Sequence, residues 1–300
     1  MTDSILNTLS KPLDGIRVVL LALNVPGPVA AQRLATLGAT VVKVESPAGD
    51  PLATLSAPWY DELCASFDVR TIDLKSEAGQ HTINALLAES DLLITSFRPA
   101  SLTRLNLNPE QVSARYPTLC QIAIVGHPSP HANVAGHDIT YQAAAGLVSP
   151  PHMPVTLLAD LSGAERTVSA AMVLLFNRSR GATNLFVEIS LEESLDSLLA
   201  PVRHELTTKN GPLNGANALY RLYETSKGWI ALAALEPHFI QRLRDEFAEE
   251  IANSGVNFPN ADALQKIFMR KSADEWQVWA SLRDIPIVAV REFKPSIFTA

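Results

Sequence analysis

The histidine-richest run of titratable side chains lies between His127 and Asp160. It holds His127, His131, His137 and Asp138, then Asp160 after the apolar run Val155–Ala159. Three histidines and an aspartate invite a metal-site reading. Their spacing is not helical, however, and Pro128, Pro130 and Gly136 mark a loop, where histidines are usually just solvated. Asp160 ends the apolar run and opens a helix. The ordinary role there is an N-cap, and Ser162-x-x-Glu165 has the form of a capping box. A carboxylate at a helix start also faces the positive end of the macrodipole, which favours ionisation and suits a general base or a nucleophile. Taken alone, these residues give an acid/base pair, His137 and Asp160, with the substrate open.

Most short catalytic signatures are absent. The chain has no G-x-G-x-x-G, no G-x-x-x-x-G-K-[ST], no G-x-S-x-G and no H-E-x-x-H, which removes the usual dinucleotide, P-loop, hydrolase and zincin readings. The first strand-to-helix turn also lacks the glycine trio that brings backbone against a pyrophosphate.

The elements that must carry the pair read as α/β. Arg17–Leu23 has a buried-strand pattern, Gly27–Leu37 a helical one stopping at Gly38, and Thr40–Glu45 is a second strand. Strand, helix and strand in so short a stretch predict a parallel sheet. The alternation continues with strands at Ile72–Leu74, Asp91–Thr95, Thr118–Val125 and Leu185–Ser190. Helices are expected at Ala78–Ala88, Pro109–Tyr116, Asp138–Leu147, Gly163–Arg178 and Leu191–Leu199, with a loop at Gly126–Gly136. Turn formers crowd at Thr207–Gly215, the expected linker. Beyond it, Tyr220–Glu224 and Trp229–Leu235 flank a Ser-Lys-Gly turn and predict a hairpin. Helices at Pro237–Phe247, Ala261–Arg270 and Asp274–Leu282 follow, then a strand at Pro286–Val290. The expected organisation is a Rossmann-like large α/β domain with a parallel sheet over 1–206, a linker at 207–215, and a small α+β domain over 216–300.

Composition bounds the partners. The 300 residues are 47% apolar with a net charge of −7, which argues against binding to nucleic acid or an anionic membrane surface. No apolar run approaches bilayer length, and no cationic leader precedes an apolar core. The expected location is cytoplasmic, with Cys64 and Cys120 reduced. The chain carries 14 glycines and 20 prolines, against about 21 and about 15 at average usage.

The ordered motifs resemble the class III CoA-transferase superfamily, and within it the α-methylacyl-CoA racemases. Pro12–Val19, Pro26–Ala31 and Leu37–Glu45 are similar to the family's first βαβ unit. Asp73-Leu-Lys75, Ser96-Phe-Arg-Pro99, Arg104-Leu-Asn-Leu107, Ala135-Gly-His-Asp-Ile-Thr-Tyr141, Leu158-Ala-Asp160 and Val187–Glu193 follow in the family's order, as do Tyr223–Gly228 and Ala234–Phe239 in the second domain. Transferases of the superfamily usually show Gly-Tyr-Asp where this chain has Gly136-His137-Asp138, so the resemblance favours racemase chemistry.

The resemblance implies that His137 and Asp160 exchange the α-proton of an acyl-CoA thioester on opposite faces. Asp138 and Glu236 match the acidic partners that orient or polarise the histidine, and backbone donors at a helix start would stabilise the enolate. In a transferase, Asp160 would be the nucleophile; a non-catalytic paralogue is the third reading. Arg98 and Lys75 match positions that contact the nucleotide end of CoA, and Lys43 is a further candidate there. The resemblance implies an acyl-CoA substrate, no cofactor beyond its coenzyme A moiety and an interlocked homodimer.

Several places depart from the family pattern. Val125-Gly-His-Pro-Ser-Pro-His131 replaces a glycine-rich loop, so part of the glycine deficit falls around the expected thioester site. The stretch between His137 and Asp160 is shorter and carries Pro150, Pro151 and Pro154. The C-terminal segment with which the family returns to the large domain is expected to be missing.

Overall fold

The computed structural model describes residues 11–255 and 257–292. The chain divides into two compact units between Leu198 and Leu199. On this division the turn-rich stretch 207–215 lies inside the second unit.

The first unit opens with β1 (Arg17–Leu21), α1 (Pro26–Thr36) and β2 (Thr40–Glu45). Val18–Leu21 is buried throughout, as expected of a strand covered on both faces. Pro26 begins α1 at the position where a missing N–H costs nothing. Two short helices not foreseen, α2 (Pro51–Leu55) and α3 (Ala57–Cys64), lead to β3 (Asp68–Thr71). The strand expected at Ile72–Leu74 therefore lies earlier in the chain. Its pairing runs from Val42↔Asp68 to Glu45↔Thr71, and its residues are exposed. The apolar Ile72 and Leu74 come just after it and pack into the core under the sheet. As an exposed, charged edge strand, β3 carries no apolar pattern for sequence reading to find.

Next come α4 (Glu77–Ala88), β4 (Leu92–Thr95), α5 (Pro99–Arg104), α6 (Pro109–Arg115) and β5 (Cys120–Val125). A loop then leads to α7 (Asp138–Ala144), α8 (Leu158–Ser179), β6 (Phe186–Ser190) and α9 (Leu191–Ser194). The sheet is six-stranded in the order β3-β2-β1-β4-β5-β6, and every pairing is parallel. One face rests on Ile83, Leu87, Leu102 and Val112, while α8 packs on α1, β5 and β6. The strand order reverses between β1 and β4, and in such sheets the crevice at the carboxyl ends of those strands is where ligands bind.

The second unit holds α10 (Ala200–Arg203), β7 (Tyr220–Glu224), β8 (Trp229–Ala233), α11 (Pro237–Glu246), α12 (Ala248–Ser254), α13 (Ala261–Phe268), α14 (Ala273–Ser281) and β9 (Ile287–Ala289). β7-β8-β9 form an antiparallel sheet. Its core holds an aromatic cluster: Phe247 stacks on Trp279 at 5.3 Å, and Phe268 meets Trp276 edge-on at 5.2 Å. Trp276 Nε1 donates to the Phe268 carbonyl at 2.7 Å, so the ring is buried without stranding its donor. No helix among the described residues is long and apolar enough to cross a membrane.

Candidate active site

The loop after β5 returns the chain to the sheet's carboxyl edge, where α7 begins at Asp138. The Asp138 side chain is buried, and both oxygens are used. Oδ1 accepts the backbone N–H groups of Ala159 at 2.8 Å and Asp160 at 3.0 Å. Oδ2 accepts from Gln142 Nε2 one turn along α7, and that amide also donates to the Thr156 carbonyl at 3.0 Å. Helix α8 has no side-chain cap from its own N-cap residue, Leu157. Asp138 caps it instead, a carboxylate supplied from another helix to the exposed N–H groups and positive dipole of a helix start.

This arrangement corrects three expectations. Asp160 is not the cap of α8 but sits inside its first turn, because the helix begins at Leu158 rather than near Gly163. Ser162 donates to the Ala159 carbonyl at 3.2 Å as an interior helical residue, so the capping box with Glu165 does not form. The Asp138 carboxylate is committed to α8 and Gln142, and its hydrogen bonds do not include His137. The amides of Ala159 and Asp160 are likewise taken.

Asp160 lines a cavity of about 250 Å³ together with His137, Tyr141, Arg98, Asn24 and Gly126. Burial first, and then the negative charge of Asp138, push its carboxyl from 3.8 up to about 7. A helix N-terminus pulls the other way, yet desolvation outweighs it here. The result is a carboxyl group that gains and loses a proton near neutrality.

His137 is exposed and extended just ahead of α7. Its amide donates to Thr140 Oγ1 at 3.1 Å, and that hydroxyl donates back to the His137 carbonyl at 2.7 Å. The pair of bonds holds the residue at the cavity. Tyr141, one helical turn beyond His137, closes the same wall. His127 stands edge-on to the Tyr141 ring at 5.2 Å, and its Nδ1 lies 2.8 Å from Glu192 Oε2.

The remaining candidates divide. Arg98 precedes α5 and lines the cavity. Lys75 is exposed in the turn after β3, and its amide donates to Asp73 Oδ1; it is not among the cavity's lining residues. Glu236 belongs to the second unit, where it precedes α11, exposed and without a side-chain bond to that helix. Lys43 is fully buried and bonds both Glu45 and Asp50, which leaves its ammonium no surface to offer a nucleotide.

The same cluster shapes the cavity from behind. Asp50 Oδ2 lies 2.7 Å from Lys43 Nζ, while Asp50 Oδ1 accepts from Asn24 N at 3.0 Å and Leu52 N at 2.9 Å. Tyr60 Oη donates to Glu45 Oε1 at 2.7 Å. Asn24 carries a φ of +63°, so Lys43 acts through Asp50 to hold a left-handed turn that lines the cavity. Gln142, Asp50 and Asn24 went unnoticed in the sequence, and Tyr141 entered there only as the last residue of the Ala135–Tyr141 motif, with no role. Only Tyr141 left a signal, its i+4 spacing from His137 on a common helix face.

The sequence profile of CoA-transferase family III matches residues 13–297. Human α-methylacyl-CoA racemase is 30% identical over 88% of this chain and 74% of its own length. The "Probable fatty acyl-CoA transferase Rv3272" of Mycobacterium tuberculosis is 26% identical over 89% of this chain and 79% of its own. A crystal structure of Rv3272 superposes with a TM-score of 0.79 at 23% identity, covering 97% of this chain and 85% of that one, a likeness of fold.

Proposed function

The chain belongs to CoA-transferase family III, and from that premise we propose that it inverts the α-carbon of a 2-methylacyl-CoA thioester by two-base proton transfer. One base takes the α-proton, and the C–H electron pair moves through the carbonyl to give an enolate. The other base returns a proton to the opposite face. His137 and Asp160 are those bases.

The observation that carries this reading is Asp160 itself. Its carboxyl is held near 7, on the same cavity as His137. Proton transfer is most efficient when a group's pKa lies near the working pH, and a carboxyl at the usual value would be a weak base. Asp138 supports the reaction by fixing the start of α8 and by raising Asp160 with its charge. Arg98 and Lys75 contact the nucleotide end of CoA. No cofactor is required beyond the coenzyme A moiety. The active species is an interlocked homodimer in the cytoplasm, and light scattering on the eluting protein tests its mass.

A second reading is favoured by the mycobacterial relative named as a probable fatty acyl-CoA transferase. There the Asp160 carboxylate attacks the thioester carbonyl, the C–S bond breaks, and a mixed anhydride forms. The released CoA thiolate then attacks the aspartyl carbonyl, giving an aspartyl-CoA thioester and a free acid. This route needs Asp160 and not His137.

Incubation with (2R)-2-methylacyl-CoA in deuterated water separates the readings. Racemisation exchanges the α-hydrogen, and both His137→Ala and Asp160→Ala abolish exchange. Transfer shows no exchange but forms a new acyl-CoA when a free acid is added. Absence of both reactions, with no CoA binding by calorimetry, identifies a non-catalytic paralogue.

A further inference from the structure

Tyr141 is 2% exposed and lines the cavity, yet its hydroxyl has no hydrogen-bond partner among the described residues. The ring is buried while the hydroxyl oxygen opens to the cavity, where a ligand atom can take its hydrogen bond. The ring is held tightly in place. A Cβ at Gly126 would stand 2.1 Å from Tyr141 Oη, and one at Gly136 would stand 2.5 Å away. Two segments of backbone therefore close on the hydroxyl end, and glycine at both positions is what permits the approach. His127, held by Glu192, braces the ring from its edge.

The first amides of α8, from Ala159 and Asp160, are satisfied by Asp138. Burial, followed by the charges of Asp160 and Glu192, pushes the Tyr141 phenol upward. It therefore keeps its proton across the neutral range and remains a donor.

The geometry points to Tyr141 as a further catalytic residue, its hydroxyl donating a hydrogen bond to the carbonyl oxygen of a bound acyl thioester. This rests on the acyl-CoA reading above. When the α C–H bond breaks, the proton passes to a base and the electron pair ends on the carbonyl oxygen. Tyr141 keeps its O–H bond throughout, and its hydrogen bond strengthens as negative charge collects on that oxygen. On reprotonation the electrons return to the α-carbon and the bond weakens again. A donor aimed at charge that develops only in the transition state acts on kcat more than on KM.

The test uses the full chain and Tyr141→Phe with 2-methylacyl-CoA carrying 13C at the carbonyl. Infrared difference spectra report the carbonyl stretch of the bound thioester, and deuterium exchange reports turnover. The wild-type protein is expected to lower that stretch relative to free ligand, and the variant to return it toward the free value. Exchange should fall on the order of 100-fold with KM little changed, and the unfolding midpoint should stay put or rise. An S-alkyl-CoA thioether, which lacks the carbonyl, should bind both proteins equally. Equal carbonyl shifts in the two proteins would overturn the assignment. Exchange by the wild type with equal shifts removes Tyr141 and keeps the racemase. A shift confined to the wild type, without exchange, removes racemisation and keeps Tyr141. Failure of the wild type to bind the thioester removes both.

Discussion

Asp138 Oδ1 accepts the backbone N–H of Asp160 at 3.0 Å across 22 residues of chain. One carboxylate thus caps the helix that carries another and, by its charge, raises that neighbour's pKa. Positioning and tuning come from a single side chain. A neutral cap could do the first task but not the second.

Asp138→Asn separates the two tasks. It keeps an oxygen acceptor for the α8 amides but removes the charge, so the Asp160 carboxyl should titrate lower than about 7. The acid limb of the exchange-rate profile should move to lower pH. Asp138→Ala loses the cap as well, and urea unfolding should show a loss of about 1–2 kcal/mol.

Asp160 makes stability depend on pH in a defined direction. Its folded-state pKa of about 7 lies above the usual 3.8, so between those values the native state holds a proton that the unfolded chain has released. Stability from this group is full below about pH 4 and declines as pH rises through 7. Asp160→Asn should therefore be more stable than wild type at pH 8, by about 4 kcal/mol. The gain should disappear at pH 4. An equal difference at both pH values would show that the carboxyl is not held protonated.

Lys43 and Arg98 should respond oppositely. Lys43→Met leaves Glu45 and Asp50 buried without their cation, and denaturant titration should show a loss of about 3–5 kcal/mol. Arg98→Ala removes an exposed cation at the cavity and should leave the unfolding midpoint nearly unchanged. Calorimetry should instead show acyl-CoA affinity falling roughly tenfold, the value of one charge-assisted contact.

Gly126→Ala probes the wall behind Tyr141. The added methyl would meet the phenol oxygen at 2.1 Å, so the ring must move, at a cost of about 1–3 kcal/mol from overpacking. Exchange should fall together with stability. Gly146→Ala is the control: its Cβ meets nothing within 4 Å, so only the strain of its φ of +73° is expressed, and exchange is retained.

The fold was largely legible because its signals are local. Arg17–Leu21 and Thr40–Glu45 announce themselves through apolar, β-branched residues, and α1 through its proline start and helical spacing. Where burial is one-sided or slight, that legibility ends. β3 is an exposed edge of charged residues, and its place was misassigned to the apolar Ile72 and Leu74, which serve the core instead. α2 and α3 are too short for a periodic pattern to rise above the surrounding prolines and turns.

The candidate site divides in the same way. The sequence by itself singled out the side chains proposed to do the chemistry, because Gly136-His137-Asp138 and Asp160 are residue types in an order that a local motif preserves. It also determined the parallel sheet whose carboxyl edge receives them. Only the tertiary structure decided what each group faces. Asp138 turns to α8 rather than to His137, Lys43 is buried under two carboxylates, and Tyr141 is held with its hydroxyl unpaired. Each of these outcomes depends on desolvation and on partners distant in the chain, and neither quantity is a property of a residue or its immediate neighbours.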